Sequence, residues 1–253
     1  MKNIRIIPRL DIKGPNVVKP IQTEALRVVG NPKEMARRYY EEGADEILYL
    51  DIVASLYQRN IDFDLLKSVT EDIFIPVTVG GGIRSLNDIN YALRAGADKV
   101  AINTYLVKNP AFISEAVREF GSQCIVLFVE AKKQPTGIYE VYTDGGREHT
   151  GLEAIEWIRR GIELGAGEIL ISSIDRDGTR RGYDLELLKK VSEIAPIPVI
   201  AHGGAGSPES LIRAVRDARV DALAVSSIFH YKECSINAVK EDLAAEGINV
   251  RKI

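Results

Sequence analysis

The sequence predicts an α/β fold, a (β/α)8 TIM barrel built from two duplicated half-barrels, and three observations carry that prediction. The first is internal repetition, which fixes an architecture before any single element does. Residues 75–85, a β-branched run ending in Gly80-Gly81-Gly82 with Ser85 behind it, return 122 residues later as 197–205 and Gly206-Ser207. Residues 43–48 return as 165–170 at the same offset, 6–13 face 125–132 at 119, and 98–104 face 221–227 at 123. Four segments in one order at a nearly constant offset describe two copies of a four-unit half. The second observation is length, since 253 residues without a linker or composition break fit one barrel domain over 1–253. The third is the eightfold alternation of apolar runs with capped helices.

The strands are predicted at 4–10, 46–51, 76–79, 99–103, 124–129, 168–173, 198–201 and 222–226. Most are continuous apolar stretches, as strands buried on both faces should be. Asn31-Pro32 and Asn109-Pro110 each place a capping side chain before a proline at the first helical position. Ser85, Asp184 and Ser207 read as further caps, while Gly43 and Gly96 stop the helices before them. An open doubly wound sheet would use the same elements, but the half-chain repeat argues against it. Two connections are longer than the rest, 13–30 and 131–151, and they are symmetry mates. The second holds residues 138–142 before Asp144-Gly145-Gly146, a hairpin pattern. Long loops at strand C-termini lie on the catalytic face of such a barrel, so both are lid candidates.

Composition excludes several classes. A net charge of −3 argues against a polyanion-binding surface. No apolar run approaches the ~18 residues that span a bilayer, and the first residues lack a signal-peptide pattern. Cys124 and Cys234 lie far apart, as in a reducing cytoplasm, and His149, His202 and His230 are scattered. No metal or other cofactor is expected.

The chemistry is expected where the strand C-termini share one mouth. Asp11 and Glu130 end the first and fifth strands, on opposite sides, an arrangement for acid–base work if one is held protonated and the other ionised. The plainer reading pairs them with Lys13 and Lys132. Gly81-Gly82 with Asn103-Thr104 would make one anion cradle, and Gly203-Gly204 with Ser226-Ser227 a second, with Gly178 nearby in Asp175-Arg176-Asp177-Gly178-Thr179. Two cradles across one mouth imply a long ligand phosphorylated at both ends. At the opposite rim, Arg5, Glu46, Lys99 and Glu168 start strands one, two, four and six, and could form an ionic ring around an axial passage or simply face solvent.

Motifs along essentially the whole chain carry a resemblance: Leu10-Asp11-Ile12-Lys13, Val79-Gly80-Gly81-Gly82-Ile83, Ala97-Asp98-Lys99-Val100, Ile102-Asn103-Thr104, Asp175-Arg176-Asp177-Gly178-Thr179 and Gly203-Gly204-Ala205-Gly206. The chain resembles the cyclase-subunit family of imidazole glycerol phosphate synthase. The resemblance implies a bisphosphorylated ribulosyl–imidazolecarboxamide substrate, and as products imidazole glycerol phosphate and aminoimidazole carboxamide ribotide. It also implies ammonia supplied through the barrel by a separate glutaminase docked at the strand N-terminal face; Asp98 and Gln123, which flank the ring in sequence, are the expected contacts there. Asp11 takes the place of the first catalytic aspartate; Lys19 and Asp177 join the cradles as substrate-binding residues; Arg5, Glu46, Lys99 and Glu168 take the place of an ammonia gate.

Three departures from the family pattern stand out. Glu130 replaces the usual aspartate, and Arg9 and His202 replace small residues. Strand alternation is read as turning Arg9 outward, to the helices. A related set of proteins pairs such a barrel with a glutaminase and an amidotransferase that makes acetamidino sugars, so an ammonia-conducting role in surface-polysaccharide synthesis is the alternative to the cyclase. A third reading, the sister barrel isomerase, needs no gate, and the ring charges count against it.

Overall fold

In the computed structural model, which describes residues 3–21 and 24–252, the described strands join one hydrogen-bonded sheet. They are β1 (Arg5–Lys13), β2 (Asn16–Ile21), β3 (Glu24–Gly30), β4 (Ile47–Asp51), β5 (Val77–Gly80), β6 (Lys99–Ile102), β7 (Ile125–Lys133), β8 (Tyr139–Thr143), β9 (Glu148–Glu153), β10 (Glu168–Ser173), β11 (Val199–His202) and β12 (Ala222–Val225). β1, β4, β5, β6, β7, β10, β11 and β12 pair in parallel in that order, and β12 pairs back to β1. The barrel is therefore closed, which leaves no edge among these eight. The halves match as the repeat predicts. β1 and β7 are mates, each carrying an antiparallel hairpin, β2–β3 on one and β8–β9 on the other. The second hairpin was legible in sequence; the first reads there only as a long connection. Residues 22 and 23 lie outside the described residues.

Two apolar layers follow from strand alternation. Ile6, Leu10 and Ile12 of β1 face the helices, within a core that includes Tyr39, Leu66, Ile89, Trp157 and Leu211. Ile7 faces the axis and packs with Leu48, Leu50, Ala101, Val126, Phe128, Leu170 and Ile200. Residues 5, 7, 9 and 11 share a face of one strand, so Arg9 points into the barrel with Asp11. The expectation that it turns outward is wrong by one register position.

Most predicted caps hold. The side chains of Asn31, Ser85, Asp184 and Ser207 accept hydrogen bonds from the first turns of their helices. Gly43 and Gly96 have φ of 83° and 100°, just past the helices they end. Asn109 is the exception. It closes the short helix Thr104–Lys108, and the next helix, Phe112–Phe120, starts beyond it with no side-chain cap. At the strand N-terminal face, Asp45, Asp98 and Asp221 each accept an N–H at the start of a neighbouring strand, from Ile6, Val77 and Val199, at 2.7–2.8 Å. These bonds fix the starts of β1, β5 and β11, and β1 carries Arg5 of the charged ring. Among the described residues no helix is long and apolar enough to cross a membrane.

Candidate active site

The mouth is set by which residues leave the strand ends facing the axis. Glu130 of β7 lies beside Ser172 of β10, and Ser172 beside His202 of β11. Asp11 is fully buried, one turn of the pleat above Arg9. It does not pair with Lys13. Arg9 Nε donates to Asp11 Oδ1 at 2.7 Å, and Lys19 Nζ, brought over the mouth by β2, lies 3.7 Å from Asp11 Oδ2. Lys19 also donates to Asp177 Oδ1 at 3.0 Å. Burial alone would raise Asp177, but the cations Lys19 and Arg9 outweigh it and hold this carboxyl at about 2.

Glu130 has the opposite environment. Burial pushes its carboxyl up to about 7, against the field of Arg9 and a hydrogen bond from Asn103 Nδ2 at 3.0 Å. Lys132 is not its partner; that ammonium lies over the Tyr142 ring. The two sequence-predicted carboxylates thus face one mouth in unlike settings, one bonded to cations and one left to titrate near neutrality. Arg9 also meets His202, Nη1 to Nδ1 at 2.9 Å, and its guanidinium lies 5.8 Å from the Phe128 ring centre. Burial and the nearby Arg9 charge hold His202 well below its usual range, so it is neutral.

A cavity of ≈ 700 Å³ opens on this mouth and brings together Gly81, Gly82, Asn103, Thr104, Glu130 and Asp177, with Arg9 on its wall. The first predicted cradle and Glu130 therefore share one space. Gly203, Gly204, Ser226, Ser227 and Gly178 do not line it, and neither do Asp11 and Lys19. The second cradle is built as the mate of the first, but its Gly203, Gly204, Ser226 and Ser227 are buried. Close packing explains why these turns need glycine. A Cβ on Gly81 would stand 2.0 Å from the Asp51 carbonyl oxygen, and one on Gly204 2.2 Å from that of Gly182. With φ of 96° and 104°, both positions also exclude other residues by conformation. Asn103 spends its amide on Glu130 and the Tyr142 carbonyl, and Thr104 Oγ1 accepts the Asp144 N–H. These residues brace the β8–β9 hairpin as well as facing the cavity. Phosphate soaked into crystals is expected near Gly82 and near Gly204; density at neither turn would remove both cradles.

At the opposite rim the four predicted charges do meet. Arg5 donates to Glu46 at 2.8 Å and to Glu168, and Lys99 Nζ lies 2.8 Å from both carboxylates. Thr78 adds a hydrogen bond to Glu46 at 2.5 Å. Cations and anions alternate around the axis, so each charge has two opposite neighbours. Asp98 and Gln123 are exposed beside this ring.

Comparison with known proteins adds an independent line. Residues 5–235 match the model of a family described as histidine biosynthesis protein. The chain is 58% identical over 209 residues to the imidazole glycerol phosphate synthase subunit HisF of Legionella pneumophila, covering 83% of this chain and 99% of that one. It is 49% identical over 248 residues to the subunit of the same name from Alkaliphilus metalliredigens (strain QYMF), covering 98% of each.

Proposed function

Since the chain belongs to the histidine biosynthesis protein family, as a HisF-type cyclase subunit of imidazole glycerol phosphate synthase, we propose that Asp11 and Glu130 carry the proton transfers of its ammonia-dependent reaction. The enzyme is of the lyase type. The substrate we assign is the bisphosphorylated ribulosyl–imidazolecarboxamide intermediate. Its phosphates would take the Gly82–Thr104 and Gly204–Ser227 ends of the mouth, with Lys19 and Asp177 between. Ammonia closes the imidazole ring, and the carboxamide ribotide leaves. The observation that supports these roles most is the unlike setting of the two carboxyls: Asp11 bonded to Arg9, Glu130 poised at about 7.

That poise has a signed consequence. The folded-state carboxyl of Glu130 lies above its ordinary value of 4.5, so its neutral form is the one the fold favours. Its favourable contribution is complete below 4.5 and is lost as pH rises through about 7. Glu130→Gln should flatten stability against pH across that window. Turnover of Glu130→Gln with ammonium salt should fall by about 10²–10⁴-fold and its residual rate should lack the alkaline limb near 7, while Glu130→Asp keeps activity. A limb that persists in Glu130→Gln would assign the acid elsewhere.

Members of this family pair with a glutaminase subunit. We place that partner on the strand N-terminal face, beside the ring of Arg5, Glu46, Lys99 and Glu168, which would pass ammonia along the apolar axis. Because Asp98 also holds the start of β5, Asp98→Asn, which keeps an acceptor, is the cleaner variant. Combined with Gln123→Ala it should slow association with the glutaminase more than it speeds dissociation, leaving turnover with ammonium salt intact. Unchanged association would place the partner on another face.

One observation favours a second reading. Arg9 stands in the mouth where a long ligand would cross, and the cavity stops there. A barrel that only conducts ammonia, handing it to an amidotransferase of acetamidino-sugar synthesis, would tolerate that obstruction. A wild type inert with substrate and ammonium salt, yet able to stimulate the glutaminase, would select this reading.

A further inference from the structure

Arg9 is a cation placed inside the barrel, one layer above Ile7 and level with the catalytic mouth. A guanidinium so buried is retained only where its surroundings satisfy it. Nε donates to Asp11, Nη1 meets His202 Nδ1, and the Phe128 face backs the plane. Arg9 has no lone pair, so His202 Nδ1 must be the acceptor, and the ring proton of this neutral histidine sits on Nε2. Nε2 lies 3.9 Å from Asp177 Oδ1, and Ser172 Oγ stands 2.8 Å from Nδ1, where it shares the one lone pair with Arg9. The brace is thus a fixed tautomer held from two strands.

The charged and titratable groups around Arg9 are Asp11 on its own strand, Lys19 from β2, Glu130 from β7, Asp177 after β10, His202 on β11 and His230 after β12. Two cations, Arg9 and Lys19, are bonded to two carboxylates, Asp11 and Asp177. Glu130 is left with the field of Arg9 but none of its hydrogen bonds. We propose that Arg9, braced by His202, is a positioning residue for the reaction: it fixes the orientation of Asp11 and keeps Glu130 apart as the group free to exchange a proton. The proposal rests on the reading of Asp11 and Glu130 as the acid–base pair. It concerns residues that bind each other and does not require Arg9 to touch substrate.

Arg9→Met, Arg9→Lys and His202→Ser test it with two independent readouts. The first is the carboxyl titration of Glu130 in the free protein, followed by carbon-13 NMR. Arg9→Met should raise it by about one pH unit, and Arg9→Lys should hold it near the wild-type position. The second is turnover with ammonium salt. Arg9→Met should lower kcat roughly tenfold to a hundredfold with KM little changed. Arg9→Lys should recover part of the loss, and His202→Ser should reproduce it in smaller measure. Equal or higher kcat in Arg9→Met, or an unmoved Glu130 titration in a folded Arg9→Met, overturns the proposal. If wild-type turnover is absent, the cyclase reading fails by itself, and the Glu130 titration still decides what Arg9 does.

Discussion

Asp11→Asn should reduce ammonia-dependent turnover by about 10²–10⁴-fold, the range expected when a positioned acid–base group is removed. Asparagine keeps an oxygen where Arg9 Nε donates, so the mouth keeps its shape while losing the carboxylate. Oδ2 of Asp11 accepts no hydrogen bond among the described residues, although Lys19 lies 3.7 Å away. The substitution also leaves Arg9 and Lys19 facing one carboxylate, Asp177, in place of two. A stability loss of about 1.5–3 kcal/mol is therefore expected, that of a charged hydrogen bond weakened in the interior. Thermal melting separates the two effects: a folded, soluble Asp11→Asn protein with wild-type turnover would remove Asp11 from the chemistry. Phosphate affinity at Gly82, across the cavity, should stay within twofold or so, because no bond of that turn passes through Asp11.

The architecture was legible because repetition and apolar runs are properties of the chain itself. The offsets of residues 75–85 and 43–48 located β5 against β11 and β4 against β10 before any coordinate was needed. Both carboxylates were found the same way, as mates at two strand ends. What the sequence concealed lies in contacts between elements distant along the chain. Lys19 reaches Asp177, 158 residues away, only because the β2–β3 hairpin folds over the mouth. The reach of the cavity was equally hidden: both glycine turns look alike in sequence, yet only the first opens on it. Arg9 is a different kind of miss. Its spacing of two from Asp11 already put both on one face of a strand, and the signal was there to read. The proline misjudged at Asn109-Pro110 failed because a short extra helix, Thr104–Lys108, uses Asn109 as its end.

Glu46→Ala should cost more stability than any surface substitution, about 3–5 kcal/mol, because it leaves two cations at the base of the barrel to share one carboxylate. Only 1% of Glu46 is exposed, and it takes three donors: Arg5, Lys99 and Thr78. Removing it leaves Thr78 Oγ1, itself fully buried, without its acceptor, and leaves Glu168 as the sole carboxylate of the ring for Arg5 and Lys99. Those two side chains are 27% and 17% exposed, so water offsets part of the loss and the lower end of the range is expected. Glu46→Gln, which preserves an acceptor and the volume, should recover about half. Urea denaturation monitored by circular dichroism reads the difference: the midpoint should fall with the slope unchanged, since the surface exposed on unfolding is nearly the same. A double-mutant cycle, Glu46→Ala with Lys99→Met, tests whether the ring acts as a unit. The double variant should lose less than the sum of its parts, because each single change already breaks the pair they share. If the losses simply add, Glu46 and Lys99 are independent strand-start charges rather than members of one closed ring, and the ammonia gate we assign to that ring loses its physical basis.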